Sequence, residues 1–235
     1  MRARGHILLI SHQRSHSTLL AHILGSHPEI DGYSELHQHY LSPVDLRSMT
    51  HRIEEATGRP RRGRYALDKL LHNQGRVDPS ILRRDDVRVV FLLRNPRDTI
   101  TSMVRIAGGR ETPQGAVDYY VARLARIDQY STLTGARAAF VEAEKLVSDT
   151  ERVLARLTRY LELATPLEPT YERFRLSGQP GHGDFSPNIL AGRILRDDER
   201  DRGTGKPVEI PAEPLRAAVV AYESLLSAMR SRHPD

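Results

Sequence analysis

Arg14 stands among hydroxyl side chains in the run His12-Gln13-Arg14-Ser15-His16-Ser17-Thr18, between the apolar stretch Ile7-Leu8-Leu9-Ile10 and an apolar segment that starts near Ser17. A guanidinium fork and the hydroxyls of Ser15, Ser17 and Thr18 are donors suited to the oxygens of a phosphate or sulfate group. With the apolar stretch as a buried strand and the segment after Ser17 as a helix, backbone N–H groups and the positive end of the helix dipole aim at one point. The spacing predicts an anion site, filled by an anionic nucleotide. A second group of the same chemistry begins at Arg94, where Arg94-Asn95-Pro96-Arg97-Asp98 leads on to Ser102. Pro96 suits the first turn of a helix and Asp98 its positive end, so Ser102 falls about two turns along, on a face leaning back toward Arg94. An arginine and a hydroxyl so placed are expected to hold a second phosphate.

Placing these groups requires a sheet. Apolar runs at 7–10, 30–34, 65–69, 88–93 and 138–141 read as strands. Helical sequence separates them, with helices expected from Ser17, over 44–57 (ended by Gly58 and Pro60), from Pro96, over 113–133, over 149–161 and over 212–229. This alternation predicts an α/β, three-layer architecture with a mostly parallel central sheet and helices on both faces, in which ligands bind outside the carboxyl ends of the strands. The basic run from Arg59 to Arg64 reads as an exposed loop. Between 176 and 207 the apolar periodicity fades into glycine, proline and charge, the signature of a long functional loop.

Composition bounds the possibilities. At 235 residues and 39% apolar content the chain suits one α/β domain over 1–235. The absence of cysteine excludes disulfides, thiolate metal sites and a thiol nucleophile. No stretch combines a basic start with an apolar run long enough for a signal peptide or a spanning helix, so a cytoplasmic protein without a membrane span is expected. The net charge of +5 fits an anionic cofactor, an acidic substrate or nucleic acid equally well.

The first loop fails the Walker A pattern. With Thr18 in the last position, Ser11 and His16 stand in place of both glycines and Ser17 in place of the lysine, which disfavours an ordinary ATPase or kinase. The chain instead resembles sulfotransferases that use 3′-phosphoadenosine 5′-phosphosulfate. The family's Pro-Arg-Ser-Gly-Thr/Ser-Thr loop is matched by Gln13-Arg14-Ser15-His16-Ser17-Thr18, and its arginine followed eight positions later by a serine is matched by Arg94 and Ser102. A looser third signature, Tyr-Glu-Asp-Leu-Val, is matched by Ala143-Glu144-Lys145-Leu146-Val147. The resemblance spans residues 5 to 165 and implies a P-loop-like sulfotransferase fold, with Arg14, Ser15, His16, Ser17 and Thr18 on the 5′-phosphosulfate and Arg94 and Ser102 on the 3′-phosphate. Two departures stand out. His16 occupies the glycine position, at a cost of about 1 kcal/mol if positive φ is needed there, and Ala143 replaces the tyrosine.

In-line sulfuryl transfer needs a cation at the leaving phosphate and one general base. Arg14 meets the first need from the loop and Lys69, at the end of the third strand, from the opposite side. The tyrosylprotein-sulfotransferase branch has a similar lysine some two dozen residues ahead of the 3′-phosphate arginine, and Lys69 is twenty-five ahead of Arg94. That branch also places a glutamate twenty-one residues beyond the loop arginine, which falls on Glu35 within Ser26-His27-Pro28-Glu29-Ile30-Asp31-Gly32-Tyr33-Ser34-Glu35. Glu35 is therefore the first candidate for the base. The cytosolic branch uses a histidine shortly after a lysine, which makes His72 the competitor, with Asp68 behind it.

Glu35 with His37 and His39 imitates a metal site, yet two imidazoles on a loop without a third ligand are more often incidental, and no metal is expected. Within the loop over 178–207, Gly181-His182-Gly183-Asp184-Phe185-Ser186-Pro187-Asn188 and Arg193 loosely resemble the C-terminal loop that covers the nucleotide in many sulfotransferases, which implies contacts from Ser186 and Arg193. The acceptor is expected to be a small molecule, peptide or sugar, walled by the helices at 44–57 and 113–133. Two further functional classes are a degenerate P-loop kinase, which needs magnesium and an acidic ligand after a strand, and a basic RNA-binding domain using 59–64. Against the last stand the 6% aromatic content and the lack of a recognised motif.

Overall fold

The computed structural model describes residues 5–58, 60, 62–179, 183–196, 198–201 and 207–234. Arg59 and Arg61 of the basic run, and Gly181 and His182 of the long loop, lie outside the described residues. Five strands form one sheet: β1 (Gly5–Ser11), β2 (Ile30–Asp31), β3 (Tyr65–Leu70), β4 (Val87–Leu93) and β5 (Ala138–Glu142). Their order is β2-β3-β1-β4-β5 and every pairing is parallel, with Leu9 opposite Lys69 on one side and Val90 on the other. The expected strands are all present, although the second ends at Asp31 and not at Ser34. Gly32 turns the chain out of the sheet there with φ +104, and a Cβ on it would lie 2.4 Å from the Leu67 carbonyl oxygen.

Strand alternation builds the layers. On β1, Leu8 and Ile10 face one core, whereas Ile7 and Leu9 face the other. The first core is closed by α2 (Pro43–Thr57), α3 (Pro79–Leu82), α4 (Pro96–Ala107), α5 (Pro113–Thr134) and α8 (Ala212–Arg232). The second is closed by α1 (Ser17–Gly25), α6 (Ala143–Ser148) and α7 (Thr150–Tyr160). The short α3 and α6 were not expected from periodicity, being only 4 and 6 residues long. α2 begins as its sequence dictates, with Ser42 and Asp45 forming a capping box around Pro43. Among the described residues no helix is long and apolar enough to cross a membrane.

β1 lies centrally, with β3 and β4 on its two sides, so the chain after β1, β3 and β4 emerges at one edge of the sheet. That edge is the switch point at which parallel α/β sheets bind ligands.

Candidate active site

The first loop turns twice through left-handed backbone, with Arg14 at φ +58 and His16 at φ +67. His16 thus occupies the conformation that favours glycine, and it forms the N-cap of α1 without a side-chain cap bond. The turn leaves the start of α1 directed at the space above β1. Within the loop, the Ser15 hydroxyl donates to the His12 carbonyl at 2.7 Å and lies 2.6 Å from the Ser11 hydroxyl, so it shapes the loop from inside. The buried Thr18 hydroxyl faces outward and receives Lys69 Nζ at 3.4 Å and the Asp184 backbone N–H at 3.1 Å.

Lys69 and Asp68 leave adjacent positions of β3 for opposite faces of the sheet. Lys69 is 1% exposed and, among the described residues, its hydrogen-bond partner is Thr18. Burial pulls its pKa below the ordinary lysine value, while Glu35, Asp68 and Asp184 act in the other direction. Asp68, equally buried, accepts from the Leu36 N–H at 2.9 Å, the Lys69 N–H at 2.7 Å and the Tyr40 hydroxyl at 2.6 Å. Burial lifts its carboxyl to about 7. These bonds tie residues 36–40 to β3 and hold Glu35 over the site; Asp68 is enclosed in them and faces no substrate space.

Arg14 donates from Nε to the Ser102 hydroxyl at 3.0 Å and from its terminal nitrogen to Asp184 at 3.3 Å. Arg94 donates to the Arg14 carbonyl at 3.0 Å and to Asp98 at 3.3 Å, its other neighbour one turn along α4. The two separate anion groups of the sequence therefore meet in one cradle. Asn95 caps α4 by accepting from the Asp98 N–H. Arg200 joins the same cradle with its guanidinium 3.2 and 3.3 Å from the two ring nitrogens of His16. The desolvated His16 ring, with Arg94, Arg200 and Arg14 around it, is held well below the ordinary histidine pKa and stays neutral. Arg193, the arginine singled out in the long loop, forms a bidentate pair with Glu199 at 2.8 and 3.0 Å. Ser186 donates its N–H to Asp184 at 3.0 Å.

Glu35 and His72 stand together. His72 Nε2 is 3.5 Å from Glu35 Oε1, and His37 Nδ1 is 3.9 Å from the same oxygen. The two alternatives for a base are thus neighbours. The Gln13 side-chain amide contacts His72 Nδ1 at 3.0 Å, which links this pair to the anion loop. His39, the other histidine near Glu35 in sequence, turns away and accepts from the Arg76 N–H at 3.3 Å.

Several residues that frame the site escaped the sequence analysis. His12 is fully buried, pushed down to about 3 by desolvation, and its Nε2 accepts from the Arg94 N–H at 3.0 Å while the other ring nitrogen meets the Gln13 carbonyl at 2.9 Å. It therefore fixes the first loop against the end of β4 as a neutral ring. Arg123 of α5 is fully buried and donates to the carbonyls of Ser11 at 2.7 Å, His72 at 3.1 Å and Leu70. Those carbonyls end β1 and β3 or begin the loop beyond, so one guanidinium aligns the two loops of the site. A signal existed: Arg123 falls on the apolar stripe of Tyr120, Leu124 and Ile127, where a charged residue needs a reason. Tyr119 donates to the Leu71 carbonyl at 2.5 Å and accepts from the Gln13 N–H at 2.9 Å, so α5 flanks the site. Asp184 lies in the loop segment 181–188 that the sequence singles out, though nothing there marks it from its neighbours, and Arg200 carried no local signal.

No protein-family model and no curated protein matches the sequence. Solved structures do match the fold. The chain is similar to the sulfotransferase domain from the olefin synthase of Synechococcus PCC 7002, with a TM-score of 0.58, 20% identity and 93% of this chain and 94% of that one covered. It is similar also to the sulfotransferase domain from the curacin biosynthetic pathway, with a TM-score of 0.55, 22% identity and coverage of 97% and 99%. A sulfotransferase from Alicyclobacillus acidocaldarius gives a TM-score of 0.55 at 15% identity, with 98% and 96% covered. The chain therefore has the α/β fold of sulfotransferase domains.

Proposed function

We propose that the protein is a sulfotransferase that moves a sulfuryl group from 3′-phosphoadenosine 5′-phosphosulfate to a hydroxyl or amine of a small-molecule, peptide or sugar acceptor. The observation that carries this reading is the buried Lys69 ammonium, aimed at the Thr18 hydroxyl and, among the described residues, without a carboxylate among its hydrogen-bond partners. A cation sequestered in this way costs free energy unless an anion completes it. The residues present fit the donor nucleotide: the start of α1, Thr18, Arg14 and Lys69 suit its 5′ end, and Arg94, Ser102 and Arg200 suit a second phosphate nearby.

In this mechanism Glu35 takes the acceptor proton. His72 stands beside the carboxylate to orient the acceptor, itself positioned by Gln13. Arg14 and Lys69 stabilise the charge that grows on the leaving phosphate, in a site where Lys69 is already desolvated and therefore acts without solvent reorganisation. His16 lends the loop a neutral ring among three arginines, which leaves their combined charge for the nucleotide.

Thermal melting with nucleotides tests the class. 3′-Phosphoadenosine 5′-phosphate is expected to raise Tm, and ATP with magnesium is not; the reverse pattern would establish the phosphotransferase alternative. Glu35→Gln is expected to abolish sulfuryl transfer to a panel of phenols, sugars and tyrosyl peptides while nucleotide binding persists.

A further inference from the structure

The carboxylate of Glu35 is 9% exposed, and its ion-pair contacts within 4.0 Å among the described residues are two imidazole nitrogens at 3.5 and 3.9 Å. Both separations exceed a hydrogen bond. They are instead close to the spacing of ligands around a shared ion, since bonds of about 2.0–2.1 Å in a tetrahedron set ligand atoms roughly 3.4 Å apart. One ligand atom from each of Glu35, His37 and His72 lies within 4.8 Å of the others.

We propose that Glu35, His37 and His72 form a site for a divalent transition metal, with Zn2+ the ion that best fits two imidazoles and one carboxylate. Three protein ligands leave a fourth position for water, the arrangement of an open zinc site. The supports of the ligands are those a metal site requires. The His72 ring is turned toward Glu35 by the Gln13 amide on its far nitrogen, and its backbone is fixed by Arg123. An amide can present its oxygen to that nitrogen as readily as its NH2 group. The segment bearing Glu35 and His37 is anchored between them, where the Leu36 N–H binds Asp68. The imidazoles of His37 and His72 are 56% and 40% exposed in their side chains, so an ion reaches them from solvent.

A consequence rests on the function proposed above. With the metal bound through Oε1, the cation draws charge from the whole Glu35 carboxylate and lowers its basicity, so it takes an acceptor proton far less readily. Zn2+ therefore inhibits sulfuryl transfer, at a point separate from the nucleotide cradle.

Titration of the metal-free chain with Zn2+ by calorimetry, and with Co2+ by visible absorption, tests the site without nucleotide or acceptor. One ion per chain is expected, with the low-symmetry Co2+ absorption of a four-coordinate site. His37→Ala and His72→Ala are each expected to weaken binding at least about tenfold, whereas His39→Ala leaves it unchanged. Should His72→Ala melt unlike the parent chain, His37→Ala on the exposed loop decides alone. Absence of saturable binding, or binding that survives removal of His37, overturns the site. Added Zn2+ is then expected to stop transfer without displacing 3′-phosphoadenosine 5′-phosphate. Full turnover with the ion bound would remove Glu35 as the base while leaving the metal site intact.

Discussion

Asp184 places its carboxylate 3.3 Å from the Arg14 guanidinium, and its backbone N–H on the Thr18 hydroxyl, so the long loop sets an anion of the protein's own at the mouth of the cradle. Gly183 makes this approach possible: at φ +102, a Cβ there would lie 2.6 Å from the Thr18 hydroxyl oxygen and 3.2 Å from Lys69 Nζ. In the proposed function an incoming phosphate displaces this contact, so Asp184→Asn is expected to tighten 3′-phosphoadenosine 5′-phosphate by about fivefold, the scale of a partly exposed ion pair. Calorimetry at low and high salt checks it, with the advantage shrinking as salt screens the charge. Weaker binding by the variant would mean that Asp184 orders the loop and does not compete.

Lys69 is predicted to show opposite signs in stability and activity. The fold disfavours its charged form, as the depressed pKa records. Lys69→Met keeps most of the volume and removes the buried charge, so Tm rises, while kcat falls about 100-fold or more with the loss of transition-state charge stabilisation. A variant with lower Tm and unchanged kcat would make Lys69 a structural residue.

Asp68 gives the protein a pH signature. Its folded pKa of about 7 stands above the ordinary 3.8, so between those values the folded chain holds a proton that the unfolded chain has released. Stability therefore falls as pH rises through that window, by on the order of 4 kcal/mol from this group alone. Asp68→Asn keeps an acceptor for the Leu36 and Lys69 N–H groups and does not titrate. Urea denaturation at pH 5 and at pH 7.5 is expected to show the parent chain losing more stability than the variant; equal losses would refute the shift.

Arg200 is predicted to read the second phosphate. Its guanidinium joins Arg94 and Arg14 around His16. Arg200→Ala is expected to weaken 3′-phosphoadenosine 5′-phosphate by about 10- to 100-fold, the span of the 1.5–3 kcal/mol of a charged hydrogen bond, and to leave adenosine 5′-phosphosulfate nearly unaffected. Equal losses for both nucleotides would place Arg200 on the shared part of the ligand.

Local patterns determined much of this protein. The strand positions follow from short apolar runs, the start of α4 from Pro96 and Asp98, and the orientation of Ser102 from helical periodicity. These are properties of neighbours in sequence, so the strand, loop and helix of the first unit and the helix that carries Ser102 were legible before any contact was known. Tertiary structure decided what they meet. Placing β2 beside β3 brings Glu35 to His72, thirty-seven residues away in sequence, so the two candidates for the base are neighbours. The long loop brings Asp184 to Arg14 and Arg200 to His16, across 170 and 184 residues, while Arg193 pairs locally with Glu199. No periodicity encodes such meetings, because they depend on strand order and on where an irregular segment returns to the sheet. Arg123 lies between the two cases: its place on an apolar stripe is written in the sequence, but only the fold supplies the three carbonyls that give its buried charge partners.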